Sequence, residues 1–362
     1  MSYNLRFKSR GLASLPANAD DDEQQIRFLV GTTNLREDNE LHVIEYSEAS
    51  NEVSCLCVLN HPNEIWSISP CPADPSLTFT TYSQGGKFGA SLWRLPMDAI
   101  EERSDQKVDL HECLRIKTPS ATVWTVLWDP SINEGHKGPM SAVSVESHHV
   151  RQWTIGEDGG SAAAAAIVEI PAEQEPFTAA SWDPHWEHLI ATGHGRDVSI
   201  WDLRSAQPSV AFSIPNAHRQ RIRSMDHNPD RLYMLATAAE DGSVKFWDVR
   251  QPSAPVAAVS DHSHWVTNVK YNRFYDQLVL SAGTDGAVNL WDMVRISSNG
   301  EDADGEEAEL EENRLVKQFT DHEESVYSVA WGCDAWVFAS LSYDGRVTVN
   351  QVPPKEKYNI LL

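Results

Sequence analysis

Short apolar runs separated by polar turns recur at a fixed spacing in the second half of the chain. Residues 232–248 show the pattern: an apolar run leads to Asp-Gly, and a second apolar run ends in Trp-Asp. Residues 278–292 and 337–351 repeat it, with Asn in place of the Trp in the last copy. Apolar runs that flank Asp-Gly are typical of two antiparallel strands joined by a tight turn. The sequence therefore predicts a repeated β-hairpin.

Polar residues accompany each hairpin at matching positions. A His stands 22 or 23 residues before each turn Asp, and a hydroxyl residue stands four before it. On neighbouring strands these groups can form a chain from Trp indole through hydroxyl and His to Asp, which satisfies its own polar atoms. We interpret them as structural struts and not as catalysts: His218, Thr237, Asp241, Trp247; His262, Ser281, Asp285, Trp291; His322, Ser340, Asp344.

This combination resembles the WD-repeat β-propeller family, whose repeats hold four strands in about 40–45 residues. Trp201, Trp247 and Trp291 are 46 and 44 residues apart, and weaker copies precede them. We predict an all-β, seven-bladed propeller that forms one domain over residues 1–362. For its outermost closing strand we favour residues 358–362 over residues 3–7.

Three segments interrupt the repeats. Residues 297–313 carry eight acidic side chains and too few apolar ones to offset the entropy of ordering, so we predict a disordered loop. The charged stretch 101–109 and the alanine run 162–166 are expected to be surface loops.

Composition narrows the range of partners. The 53 acidic and 29 basic residues give a net charge of −24, which disfavours nucleic acid and anionic membranes. The five cysteines include no C-x-x-C pair, and Cys55 and Cys57 are expected to pack on one face of a strand. This cysteine usage fits a protein of a reducing compartment. Without an apolar leader or long apolar run, a soluble, cytosolic, monomeric protein is expected, with membrane association only through partners.

Motifs for catalysis and cofactors are missing from the sequence. It has no G-x-S-x-G, H-E-x-x-H or phosphate-binding loop, and the glycine-rich residues 84–89 fit a hairpin better. The pairs His148-His149 and His262/His264 lack further ligands at metal-binding spacing. We expect no enzyme activity, no cofactor and no metal.

Binding is then expected at the top of the ring, where each innermost strand begins and the Asp-Gly turns lie. Large aromatic residues and Arg are common in binding hot spots. For Trp66 and Trp124, packing between blades is an equal alternative. The protein-binding candidates are Trp66, Trp124, Arg221, Arg223, Glu240, Trp265, Tyr327 and Tyr343.

Longer stretches resemble one group of WD-repeat proteins, the interactors of the endosome-associated recycling (EARP) and Golgi-associated retrograde (GARP) tethering complexes. The stretches are residues 26–32, 64–66, 262–272, 276–278, 339–346, 352–353 and 357–362. The resemblance implies a non-catalytic scaffold that binds tether subunits in endosomal recycling and endosome-to-Golgi transport. It would associate peripherally with the trans-Golgi network and endosomes.

A second function stays open because two hairpins end in W-D-x-R, at Arg204 and Arg250. In propellers that are substrate receptors of cullin–RING ubiquitin ligases, an Arg at that position contacts the adaptor. The same Arg can also cap the strand end by pairing with a nearby carboxylate.

Overall fold

The structure is a computed structural model. It describes residues 1–16, 25–35, 38–84, 87–104, 106–116, 122–132, 136, 138–156, 159–169, 175–204, 208–298 and 313–361. Its strands form seven sheets, antiparallel except for one short parallel pair, which confirms the predicted all-β, seven-bladed propeller. Each sheet is one blade, and its strands are given below from the innermost to the outermost.

Blade 1 contains β2 (Ser9–Leu15), β3 (Ile26–Thr32), β4 (Asn39–Ser47) and β5 (Glu52–His61), with the two-residue β9 (Val108–Asp109) added in parallel. Blade 2 contains β6 (Glu64–Pro70), β7 (Leu77–Gln84), β8 (Lys87–Arg94) and β10 (His111–Ile116). Blade 3 contains β11 (Val123–Trp128), β12 (Met140–Glu146), β13 (His149–Ile155) and β14 (Ala162–Glu169). Blade 4 contains β15 (Phe177–Trp182), β16 (Leu189–His194), β17 (Asp197–Asp202) and β18 (Ser209–Ile214).

Blade 5 contains β19 (Ile222–His227), β20 (Met234–Ala239), β21 (Val244–Asp248) and β22 (Ala257–Val259). Blade 6 contains β23 (Val266–Tyr271), β24 (Leu278–Gly283), β25 (Val288–Asp292) and β26 (Arg314–Phe319). Blade 7 contains β27 (Val326–Trp331), β28 (Val337–Ser342), β29 (Arg346–Gln351) and β1 (Ser2–Asn4). The helices of the described residues are α1 (Met97–Glu101), a 3-10 turn (Val294–Ile296) and α2 (Pro354–Leu361).

The core lies between the blades. Phe246 of blade 5 meets Tyr271 of blade 6 with ring centroids 6.1 Å apart, and both side chains are buried. The indole of Trp128 donates to the Ser69 carbonyl of the preceding blade at 2.9 Å. Adjacent blades therefore share apolar surface, which is the main source of their stability.

The N-terminus closes the ring, so the preference for residues 358–362 is wrong. β1 pairs antiparallel with β29, with Tyr3 opposite Val347. Residues 358–361 lie in α2, and residue 362 is outside the described part of the chain. The reason is local: Pro354 cannot donate a strand hydrogen bond but fits the first turn of a helix.

Two further expectations are corrected. The alanine run 162–166 belongs to the outermost strand β14, because the free edge of β13 supplies hydrogen bonds despite the low strand preference of Ala. Part of the charged stretch 101–109 forms the end of α1 and the parallel strand β9. Of the acidic segment 297–313, residues 299–312 lie outside the described residues, so its disorder stays a prediction.

Every innermost strand carries a β-bulge near its start. In β19, for example, Ile222 pairs with Ala239 and Ser224 with Ala238, which leaves Arg223 unpaired between them. A bulge redirects the side chain of its extra residue. We call the seven bulged residues the channel-mouth ring; in blade order they are Arg10, Trp66, Trp124, Thr178, Arg223, Thr267 and Tyr327.

Candidate protein-binding site at the channel mouth

The predicted polar chains assemble in blades 5 and 6. In blade 5, His218 lies 3.2 Å from Asp241 through Nδ1 and 2.8 Å from the Thr237 hydroxyl through Nε2. The Trp247 indole donates to the same hydroxyl at 3.0 Å. Burial acts to raise the pKa of Asp241, but hydrogen bonds from His218 and neighbouring donors outweigh it and hold the pKa below its usual range. Blade 6 repeats the arrangement with His262, Ser281, Asp285 and Trp291.

Blade 7 departs from the predicted chain. His322 Nε2 contacts the Ser340 hydroxyl at 2.7 Å, but its buried Nδ1 has no partner within the described residues. Asp344 instead accepts hydrogen bonds from the Ser342 hydroxyl and the Arg346 backbone, because both lie within its own hairpin. Asp344 therefore makes no hydrogen bond to His322 in the described part of the chain, although the two groups still interact electrostatically.

Partial chains also occur in earlier blades, where the sequence did not lead us to place them. Trp93 donates to Thr80, which also contacts His61; Trp153 donates to Ser144 and Trp201 to Thr192. The Trp-to-hydroxyl separation varies from 9 to 13 residues in these three blades because their hairpins differ in length. A search for a Trp with an upstream hydroxyl, tolerant of hairpin length, would have found them.

The protein-binding candidates occupy one end of the propeller. Trp66, Trp124, Arg223 and Tyr327 are members of the channel-mouth ring, and Arg221 and Trp265 directly precede innermost strands. Glu240 and Tyr343 begin the hairpin turns between the second and third strands of their blades. Six of these eight residues belong to two clusters, and Trp124 and Arg221 belong to neither.

The first cluster, which we call the Arg10 cluster, consists of Arg10, Trp66, Tyr327 and Tyr343. The Arg10 guanidinium carbon lies 4.4 Å from the Trp66 ring centroid and 4.5 Å from that of Tyr327, with Tyr343 at 5.3 Å. These distances are within the range of cation–π attraction. Blades 7, 1 and 2 supply the rings and the cation between them.

Arg10 was not among the sequence-derived candidates. Blade 1 lacks the His that stands three or four residues before the innermost strands of blades 2, 5, 6 and 7, so its place in the repeat was hidden. Arg10 could have been located from the apolar residue that stands two positions after the bulged residue. Leu12 follows Arg10 in this way, as Met225 follows Arg223.

A depression of about 160 Å³ adjoins the Arg10 cluster. Phe88 packs edge-on against Trp66 with centroids 5.3 Å apart and lies 6.1 Å from Trp124. Trp124 is 37% exposed, while Trp66 is more enclosed and its buried indole nitrogen has no partner in the described part of the chain. Trp66 thus contributes to packing, and Trp124 also presents surface to solvent.

The second cluster, the Arg223 cluster, consists of Arg223, Glu240, Trp265 and His264. Arg223 forms an ion pair with Glu240 at 2.5 Å and lies 5.4 Å from the Trp265 ring centroid. His264 stacks on Trp265, which is 38% exposed. Arg221 is set apart from this cluster and pairs with Glu175 at 3.3 Å.

Arg204 and Arg250 lie at strand ends away from these clusters. Arg204 Nε donates to both carboxylate oxygens of Asp202 at 3.0 Å, and Arg250 Nε donates to Asp248 at 2.9 Å. The hydrogen bonds from Arg204 lower the pKa of Asp202 to about 2. This geometry is that of a strand-end cap.

One group of residues has the composition of a catalytic triad. Cys55 Sγ lies 4.0 Å from His42 Nδ1, and His42 Nε2 lies 2.9 Å from Glu40. Burial raises the pKa of the Cys55 thiol, which disfavours a nucleophilic thiolate. The Tyr3 hydroxyl, 2.9 Å from the same His42 Nδ1, ties β1 to blade 1. We interpret the group as part of the ring closure.

The candidate metal ligands do not converge. Within the described ranges, no three His, Cys, Asp or Glu side chains are arranged to hold an ion. His262 belongs to a polar chain, while His264 stacks on Trp265. No helix of the described residues is long and apolar enough to cross a membrane.

Comparison with known proteins agrees with this architecture. The model of the EIPR1 β-propeller family matches residues 1–291. The chain belongs to the EIPR1 β-propeller family. The resemblance seen in the sequence is thereby confirmed.

Relatives in the EIPR1 β-propeller family align along nearly their whole length. EARP and GARP complex-interacting protein 1 of Homo sapiens is 35% identical, covering 99% of this chain and 98% of its own. EARP-interacting protein homolog of Dictyostelium discoideum is 34% identical, with 99% and 96% covered. WD repeat-containing protein DWA2 of Arabidopsis thaliana is 31% identical, with 98% and 97% covered.

Proposed function

We propose that the chain is a non-catalytic scaffold that binds vesicle-tethering complexes of the EARP and GARP type. One observation carries the proposal: the human relative, named for this interaction, matches 99% of the chain at 35% identity. Its setting would be endosomal recycling and endosome-to-Golgi transport. Peripheral association with the trans-Golgi network and endosomes would follow from the bound tether.

The channel mouth is the surface that we assign to the tether. Trp124 and Trp265 are large aromatic side chains that remain more than one-third exposed there. Arg223 is held against Trp265 by Glu240, so its position is fixed before a partner arrives. Aromatic residues and Arg that are already ordered lose little entropy on binding and are common hot spots.

The test replaces Trp265 or Arg223 with Ala in the tagged full chain, expressed in cells that lack the endogenous protein. Tether subunits recovered by affinity purification are quantified by mass spectrometry. We expect recovery to fall about tenfold or more, since losing a hot-spot residue costs about 2 kcal/mol.

The matched control is Trp186→Ala. Trp186 is 37% exposed but lies at the opposite end of β15 from the channel mouth. Thermal unfolding checks that all variants are folded. Unchanged tether recovery with folded Trp265→Ala and Arg223→Ala would refute the channel mouth as the docking surface, and absence of tether from the wild-type sample would refute the function.

The ubiquitin-ligase alternative makes a different prediction. It requires Arg204 and Arg250 to reach an adaptor, although each is bonded to the Asp two residues before it. In the double variant Arg204→Ala/Arg250→Ala, loss of a cullin adaptor would support the ligase function. Retained tether binding would support the scaffold.

A further inference from the structure

We propose that the Arg10 cluster is a receptor for an acidic side chain of a polypeptide partner. The depression beside it would take an apolar side chain next to that acidic residue. This goes beyond the proposed function because it specifies the chemistry that is recognised. It applies to whichever polypeptide the channel mouth binds.

The first step is the unsatisfied edge of the Arg10 guanidinium. The Trp66 and Tyr327 ring centroids lie 4.4 and 4.5 Å from its central carbon. Among the described residues, no carboxylate or carbonyl accepts a hydrogen bond from it, whereas Arg223 at the same position in blade 5 is paired with Glu240. A guanidinium has five N–H donors in its plane, and stacking on rings leaves all of them to be satisfied.

The Trp66 indole is a second, independent hydrogen-bond donor in the Arg10 cluster. The Trp66 indole nitrogen is buried and has no acceptor in the described part of the chain. A buried donor without a partner lowers the stability of the folded state, so such groups commonly mark a place where a ligand or water binds. The Trp66 ring that carries this nitrogen lies 4.4 Å from the Arg10 guanidinium carbon, and a carboxylate has the acceptors that the guanidinium lacks.

The positive charge of the Arg10 cluster favours an anionic side chain. The chain has a net charge of −24, yet within the described ranges no acidic side chain pairs with Arg10, and Lys8 lies 4.5 Å from the Tyr343 ring. Arg10 already lies beside both rings, and its positive charge repels a Lys or Arg of a partner. Long polyanions such as RNA are repelled by the rest of the surface. A single carboxylate meets both constraints.

The volume of the depression limits what can bind there. The depression of about 160 Å³ is smaller than the roughly 300–1,000 Å³ of pockets for small molecules, but it can hold one side chain. Phe88, Val123 and Trp124 line its apolar side. The site therefore fits an Asp or Glu beside a residue such as Leu or Phe, presented by a polypeptide.

The experiment selects peptides on the immobilised full chain from a displayed library of random dodecapeptides. Enriched sequences are synthesised, and their affinity is measured by calorimetry for wild type and Arg10→Gln. We expect an Asp or Glu next to a large apolar residue, and a loss of affinity of about tenfold or more with Arg10→Gln, as for a charge-assisted bidentate pair. Changing the peptide's acid to its amide should give a similar loss, with little further loss when both changes are combined.

Arg115→Gln is the matched control, because it makes the same change at a half-exposed arginine on the outermost strand of blade 2 and should leave peptide affinity unchanged. Arg10→Lys keeps the charge but removes the planar fork, and it provides the test if Arg10→Gln does not fold. Enrichment of peptides without an acidic residue, affinity that is indifferent to Arg10, or no enrichment over Arg10→Gln would each overturn the proposal. So would inorganic phosphate displacing the peptides at low millimolar concentration, because that would identify a simple anion site.

Discussion

A histidine side chain that is buried between blades is more stable as the neutral imidazole than as the charged imidazolium. Burial lowers the pKa of His61 from 6.5 to about 4, and it lowers that of His322 to the same value. His61 is 1% exposed and contacts the Thr80 hydroxyl, so protonation would put a charge where water cannot reach it. These histidines therefore link the stability of the ring to pH.

The first prediction is a loss of stability in mild acid. Because the folded-state pKa lies below the unfolded one, the unfolded chain binds more protons between pH 6.5 and 4. The stabilisation is complete above pH 6.5 and declines as the pH falls toward 4. At pH 5, the proton uptake of each of these histidines on unfolding should lower the free energy of unfolding by about 2 kcal/mol.

Urea unfolding at pH 7 and pH 5 measures this effect. His61→Gln should be less stable at pH 7 but lose less on going to pH 5. His111→Gln, at an exposed histidine, is the control and should keep the wild-type pH dependence. Equal losses in the wild type and His61→Gln would contradict the assignment.

At the scale of elements, the ring is held shut by a strand of three residues. β1 covers the edge of β29, and the Met1 amino group donates to the Val349 carbonyl at 2.9 Å. Leu5 continues into the apolar cluster shared by blades 7 and 1. An uncovered edge would expose unpaired backbone groups that recruit other chains.

The second prediction concerns this closure. Deleting residues 1–4 should lower Tm and promote aggregation, because β29 loses its partner. Deleting residues 358–362 removes the last turn of α2 and should have the smaller effect, as Glu356 keeps its ion pair with Arg314. Differential scanning calorimetry with light scattering compares the two, and a larger loss from the C-terminal deletion would contradict closure by β1.

At the scale of the whole molecule, the net charge of −24 opposes a compact fold. Many of the ion pairs are partly exposed, such as Arg204–Asp202 with an arginine side chain that is 69% exposed, and such pairs contribute little. Apolar packing between blades must therefore outweigh the repulsion. The dependence of Tm on salt concentration should show whether charge repulsion outweighs charge attraction.

The third prediction is that Tm rises by a few degrees as NaCl is increased from about 0.02 to 0.3 M, since the Debye length shortens and like charges are screened. KCl at the same ionic strength is the control and should act equally. A falling Tm would mean that attractive pairs such as Arg314–Glu356 outweigh the repulsion.

The sequence alone determined the architecture, because the repeat is local. The Asp-Gly turns of blades 5 and 6 need a glycine, because Gly242 and Gly286 both have a φ of +78°. The same locality placed His218, Thr237, Asp241 and Trp247 in one blade. It also indicated the end of the ring at which Trp265 and Arg223 lie.

Only the tertiary structure decided how distant segments meet. Residues 10, 66 and 327 become neighbours because blades 7, 1 and 2 adjoin once the circle closes, and no local spacing records that contact. The choice of closing strand likewise depends on which terminus reaches the free edge of β29. Contacts within a repeat are fixed by spacing along the chain, whereas contacts across the ring are fixed by its closure.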